Sequence, residues 1–253
     1  MSYATRSSAN CSARRHGLGP DMVVLHYTGM ETAQAAIDRL CDPASEVSAH
    51  YVIDEAGAVT ALVPETQRAW HAGAGQWGWV KDVNSHSIGI EIANRGPDSD
   101  TPQFPEAQMV ALRDLLSAIL QRYNIPPERV IGHSDMAPGR KIDPGPYFDW
   151  QELAGRGLSI WPHPAQCAAS WSAFRAAAFY FGYRAADDSR QSWETVLSAF
   201  RLRFRPFHSG PLDALDVGLI VRLAQEWPCQ AVDLGGYGTV EKGFADGWTA
   251  ARQ

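Results

Sequence analysis

No run of apolar residues in this chain approaches the roughly 20 needed to cross a bilayer, so a helical membrane span is excluded. Positive charge is not in excess either. The 22 basic and 28 acidic residues leave a net charge of −6, which argues against binding to nucleic acid or anionic lipid, because phosphate contacts need clustered Lys and Arg. Cysteine is sparse. Cys11, Cys41, Cys167 and Cys229 are scattered with no CxxC pair, so there is no zinc-ribbon pattern and nothing demands disulfides; a reducing compartment is the better fit. The opening MSYATRSSANCSARRHG lacks the apolar core of a secretory signal, so a cytoplasmic location is expected, with the periplasm as the alternative. A helical HExxH is missing as well, which removes that peptidase signature.

What remains is ordinary globular material. Of 253 residues, 45% are hydrophobic and 20% charged, enough for a sizeable core in one large domain or a domain plus a smaller module. The most informative stretch is Gly132–Gly145, GHSDMAPGRKIDPG, which packs an imidazole, two acids, two cations and the turn-formers Pro138, Gly139, Pro144 and Gly145 into fourteen residues. The apolar pair Val130-Ile131 leads into it and no helical period follows, as in a functional loop on the rim of a sheet. His133 and Asp143 suit a hard or borderline metal, and Lys141 beside them is an electrophile. A lone loop histidine is more often structural, so partners must come from elsewhere.

In chain order, residues 1–20 read as an irregular arm. Met22–Leu25 is a short apolar run fit for a central strand, ending at His26-Tyr27-Thr28-Gly29. Thr32 is placed to cap a helix through Leu40. Residues 48–54 read as a strand whose hairpin partner is Ala58–Val63. Trp70–Gly75 is a Gly-rich loop with Trp77 and Trp79 close behind, and these indoles suit either loop packing or stacking against a sugar. In Ser87–Ile92 the period of two puts Ile88, Ile90 and Ile92 on one face and Glu91 on the other. Pro105–Asn124 is the clearest helix, stopped by Pro126-Pro127. After Trp150, Gly and Pro mark a linker, and helical stretches follow at 168–183, 191–203 and 213–226. Residues 231–253 have no sustained period and are expected to be peripheral or disordered.

Two imidazoles and one carboxylate (His26, His133, Asp143) leave a fourth tetrahedral position for water, the arrangement of catalytic rather than structural zinc. Such a site needs a base to take the proton of water, for which Glu91 is the candidate. It also needs a positive group for the charge that develops on a carbonyl oxygen, for which Lys141 is the candidate.

Five blocks, HYT at 26–28, SAHYVID at 48–54, AWHAG at 69–73, SIGIEIAN at 87–94 and GHSDMAPGRKIDPG at 132–145, resemble in order those of the type-2 N-acetylmuramoyl-L-alanine amidases. This is the AmpD-like group related to peptidoglycan recognition proteins. The resemblance spans about residues 20–152. It implies an α/β fold, a mixed central β-sheet flanked by helices, with Zn2+ held by His26, His133 and Asp143. It also implies Glu91 as base and Lys141 as transition-state stabiliser in hydrolysis of the amide between N-acetylmuramic acid and L-alanine. His50, Trp70, His71 and Asn94 fall in the same blocks and are expected to line the cleft or orient a ligand or substrate group, not to bind metal. Peptidoglycan or a muropeptide is the implied partner, and a monomer is expected.

The stretch from Leu197 to Asp213 resembles the small three-helix peptidoglycan-binding module often appended to such amidases, departing from it at Leu202 where a Gln is usual. The expected organisation is therefore an amidase domain over residues 1–160, a helical module over 161–230 and a tail over 231–253. A recognition protein that has lost zinc and a zinc peptidase are the rival readings; the complete ligand set and the order of the blocks favour the amidase.

Overall fold

The computed structural model describes residues 3–17, 19–100 and 103–229; the expected tail at 231–253 lies outside them. In chain order the elements are β1 (Ala4–Thr5), β2 (Cys11–Ala13), β3 (Met22–Tyr27), α1 (Ala33–Cys41), β4 (Tyr51–Ile53), β5 (Val59–Ala61), β6 (Gln67–Ala69), α2 (Val83–His86) and β7 (Ser87–Ile92). Then come α3 (Glu106–Tyr123), β8 (Val130–Gly132), α4 (His133–Met136), α5 (Trp150–Gly155), α6 (Trp171–Phe181), α7 (Arg190–Phe204) and α8 (Ala214–Glu226). Strands order as β1-β5-β4-β7-β3-β8 in a six-stranded sheet, and β2 pairs with β6 in a second, two-stranded one. The four strands β4, β7, β3 and β8 run parallel, and β5 folds back antiparallel on β4.

The mixed α/β architecture is as expected, with corrections in the 132–145 stretch, which opens on the single helical turn α4, and at the start of the chain. The supposed irregular arm supplies two short strands, of two and three residues. Runs that short carry no readable alternation, and their pairing comes from partners about 55 residues away in β5 and β6.

Local chemistry accounts for the element ends. Thr32 caps α1 by accepting the Ala35 N–H at 3.1 Å. Asn124 ends α3 in the left-handed conformation (φ 52°), which Asn tolerates better than most side chains. Asp213 and Asp216 form a reciprocal capping box at the start of α8.

Alternation along the central strands splits the core in two. Val23, Leu25, Ile88, Ile90 and Ile92 face α3, whose Met109, Leu112, Leu115, Leu116, Ile119 and Leu120 complete one cluster. Each such side chain contributes about 1.5–3 kcal/mol on burial. Met22, Val24 and Ile131 face the other way, into a cluster that also contains Phe174, Val196, Phe200, Phe204, Val217 and Ile220 of α6, α7 and α8. The C-terminal helices therefore cover one face of the sheet. The connecting backbone is pinned to α8 by the Ala165 N–H bonded to the Gly218 carbonyl at 3.0 Å, and a Cβ at Gly218 would lie 2.2 Å from the Ala165 oxygen. The core is thus continuous across the boundary expected near residue 160.

Candidate active site

Parallel pairing builds the site. His26 sits opposite Glu91 in the β3–β7 register, and Leu25 opposite Gly132 in β3–β8 puts His133 one step further on. Three neighbouring strands thus deliver His26, Glu91 and His133 at their carboxyl ends, where open α/β sheets place their ligands. Asp143 arrives from the loop after α4, held by the Ser134 N–H bonded to the Asp143 carbonyl at 2.9 Å. The four residues line a cleft of about 580 Å³ together with Tyr27, Arg39, Ser48, Trp70, Arg140 and Lys141.

Hydrogen-bond partners assign the imidazole protons. Ser87 Oγ donates to the Val83 carbonyl at 2.6 Å, so its bond with His71 Nε2 at 3.0 Å makes that nitrogen the donor. Burial and the surrounding imidazoles hold His71 well below its ordinary pKa, so it is neutral and its Nδ1 is an acceptor. His26 Nε2, 3.0 Å from that Nδ1, therefore carries the hydrogen. Burial and the neighbouring His133 push His26 down to about 4, so its Nδ1 is a bare lone pair at neutral pH. On the other ring, His133 Nε2 lies 2.9 Å from the Ala72 carbonyl, which only accepts, so it too carries its hydrogen on Nε2.

The two Nδ1 atoms lie 2.9 Å apart, and each is 2.9 Å from Asp143 Oδ2. Burial alone would raise the Asp143 carboxyl, but the two imidazoles beside it hold it well below the usual carboxylate range. Three donor atoms converge, and two imidazoles with one carboxylate are a zinc-type donor set. The residues fit the metal expected of them. A second group, His208, Asp213 and Asp216, is also close-set, but Arg201 and Arg205 already neutralise its carboxylates at 2.5–2.7 Å.

Glu91 Oε2 is buried with no hydrogen-bond partner among the described residues. Burial, reinforced by the Asp143 charge and only partly offset by Lys141, raises its pKa well above that of an ordinary glutamate.

Other expected site residues divide. Trp70 and His71 line the cleft, and His71 also orients His26. Gly89 leaves room for it: a Cβ there would lie 2.4 Å from the His71 ring. His50 and Asn94 do not line the cleft. His50 is wholly buried; its Nδ1 accepts the Gly89 N–H at 2.9 Å and its Nε2 donates to the Gln67 carbonyl at 3.1 Å. Its backbone pairs with Gly89, two residues back from Glu91, so it lies about 7 Å beneath the cleft floor. Asn94 shapes the loop beyond β7, accepting the Gly96 N–H at 2.8 Å and donating to the Gln103 carbonyl. Of the three indoles, Trp77 is core, packed edge-on to Phe181 and Tyr183, and Trp79 is half exposed beside Phe179 and Arg184. Only Trp70 belongs to the cleft.

Sequence reasoning missed Ser87 as the end of the His71 relay, and Arg39 and Arg140 as cleft cations. Arg140 donates to the Ala72 carbonyl at 2.6 Å, the same oxygen that fixes the His133 tautomer.

Comparison with known proteins gives the same direction. Residues 16–146 match the model of the N-acetylmuramoyl-L-alanine amidase family. The N-acetylmuramoyl-L-alanine amidase AmiD of Escherichia coli is 35% identical over 219 residues, covering 76% of this chain and 78% of the relative. The 1,6-anhydro-N-acetylmuramyl-L-alanine amidase AmpD of Haemophilus influenzae is 41% identical over 106 residues, 42% of this chain and 55% of the relative. AmiD in complex with the substrate anhydro-N-acetylmuramic acid-L-Ala-D-γ-Glu-L-Lys superposes with a TM-score of 0.75 at 31% identity, over 85% of this chain and 93% of that one. AmpDh3 of Pseudomonas aeruginosa in complex with anhydromuramic pentapeptide gives 0.76 at 32% identity, over 86% and 96%. Sequence, fold and the histidine–aspartate cluster at the strand ends agree that this chain belongs to the N-acetylmuramoyl-L-alanine amidase family and is an amide hydrolase.

Proposed function

We propose that the protein is a zinc-dependent amidase that cleaves the bond between the lactyl carbonyl of N-acetylmuramic acid, or its 1,6-anhydro form, and the L-alanine of the stem peptide. The observation that carries this reading is the convergence of three ligand atoms, His26 Nδ1, His133 Nδ1 and Asp143 Oδ2, at 2.9 Å from one another in the cleft. Zinc held there supplies a Lewis acid and a water whose pKa falls to about 7.

The chain supplies the rest. Glu91 Oε2, unpartnered and raised in basicity by burial, takes the proton of the attacking water and passes it to the departing alanine nitrogen. Its carboxylate is therefore restored when the C–N bond breaks. Lys141 lines the same cleft, and its ammonium balances the negative charge that collects on the lactyl oxygen. Asp143 keeps its negative charge throughout. The relay from His26 through His71 and Ser87 to the Val83 carbonyl keeps the His26 lone pair turned inward.

Mass spectrometry of digested anhydro-muropeptides tests the assignment. Release of intact stem peptide with a free L-alanine amine, in protein containing one zinc per chain, is expected. Cleavage between amino acids with the lactyl amide intact would mark a peptidase, and binding without cleavage by zinc-replete protein would mark a recognition module.

A further inference from the structure

Of the two acids in the 132–145 stretch, Asp143 is a ligand, whereas Asp135 has no part in the chemistry above. It is wholly buried, and its carboxylate is saturated. Oδ1 accepts the Tyr183 hydroxyl at 2.5 Å; Oδ2 accepts the Gly132 N–H at 2.8 Å and Arg203 Nη1 at 2.9 Å. Tyr183 follows α6 and Arg203 lies on α7. We propose that this contact makes Arg203 and Tyr183 positioning residues for His133, so that the C-terminal helices set the metal centre from behind.

Placement supports it. Gly132 precedes His133 and Asp135 follows it by two, so the hydrogen bond between them brackets the ligand within α4. Arg203 grips the strand that leads in as well, through Nη2 to the Val130 carbonyl at 3.1 Å and to Ser159 Oγ at 3.2 Å. Its guanidinium lies over Trp150 and beside Phe204, 4.3 and 4.8 Å from the ring centroids. It is therefore confined by packing as well as by charge. The Ser134 N–H, in the same turn, holds the Asp143 carbonyl at 2.9 Å, so a shift of α4 moves two of the three ligand residues together.

Energetics point the same way. A buried ion pair is a poor source of stability, because well-packed apolar residues of equal volume are often as good or better. What it supplies is a fixed geometry, and here it fixes a turn whose displacement would spoil the convergence of the ligand atoms. The inference rests on the zinc reading above.

Zinc affinity by chelator competition, read beside thermal melting and steady-state kinetics, tests it in the full chain. Tyr183→Phe keeps the ring and removes the hydroxyl; about 10-fold weaker zinc binding is expected, the lower end of the effect of a partner that orients a ligand. Turnover should fall in partly loaded protein with KM little changed. Arg203→Lys should lie nearer wild type than Arg203→Met. Val217→Ala, in the α8 core and with no bond to Asp135, should lower the melting temperature and leave zinc affinity at the wild-type value. Wild-type zinc affinity in Tyr183→Phe and Arg203→Met, with only melting affected, would overturn the positioning role and leave the amidase reading standing. Wild-type protein that binds no zinc would sink both.

Discussion

Adding a single methyl group at Gly89 tests the histidine relay without removing any polar group. The new Cβ of Gly89→Ala would lie 2.4 Å from His71 Cγ, 2.5 Å from Cδ2 and 2.6 Å from Nδ1. Carbon contacts settle at about 3.5–4.0 Å, so the imidazole must move by roughly 1 Å or more. Both its nitrogens are engaged at 3.0 Å, to His26 and to Ser87, and a displacement of that size carries at least one bond beyond the useful limit. Losing the partner that orients a ligand costs about 10- to 100-fold in metal affinity. The overpacking costs about 1–3 kcal/mol of stability. The assay is zinc competition against a chelator of known affinity, with a melting curve on the same samples. Gly218→Ala serves as control, since its Cβ would meet the Ala165 oxygen at 2.2 Å, outside the cleft. It should lower stability without loosening zinc. If Gly89→Ala binds zinc and turns over like wild type, His71 does not hold His26, and the proton assignment behind the ligand set is wrong.

Glu91→Gln should keep its zinc and lose about 10²- to 10⁴-fold in kcat, the usual worth of a general base; near-normal turnover would make Glu91 a bystander. His133→Ala should lose metal and activity together, and a variant with full zinc content would show the ligand set to be wrong. Lys141→Met should lower kcat by about 10²- to 10³-fold with folding intact, and a change confined to KM would reassign it to substrate binding. Stability of the metal-free protein should fall as pH drops below about 6.5, the ordinary histidine value. His50 is wholly buried, and burial together with Arg14 lowers it to about 3. The unfolded chain therefore takes up a proton that the folded one refuses. Its contribution is complete above 6.5 and fades towards 3, reaching about 2 kcal/mol lost at pH 5. Denaturant curves of equal midpoint at pH 7.5 and pH 5 would contradict this.

How much was legible in the sequence follows from what each residue's neighbours had to be. The period of two placed Glu91 opposite the isoleucines, and the parallel register then carried it to His26. Spacing alone could not separate His50 from His71. Both are imidazoles in the strand and loop blocks, yet one ends beneath the floor bonded to backbone and the other reaches a ligand. Asn94 likewise read as a cleft residue until its amide proved committed to its own loop. The helices at the C-terminus were readable from their apolar faces. Their seat against the sheet was not, because Met22, Val24 and Ile131 look the same whether a central strand is covered by helices of its own domain or of a later segment. Asp135 was visible as one more acid in a polar stretch, and only the fold brings Arg203 to it.

The shared core of sheet and C-terminal helices has a practical corollary. A shortened version stopping after α5 would uncover Met22, Val24, Ile131, Trp77 and Met136 at once, a sticky oily patch on an otherwise acidic molecule. Anyone trimming this hydrolase to a minimal catalytic fragment should expect clumping on expression unless that patch is redesigned with polar side chains.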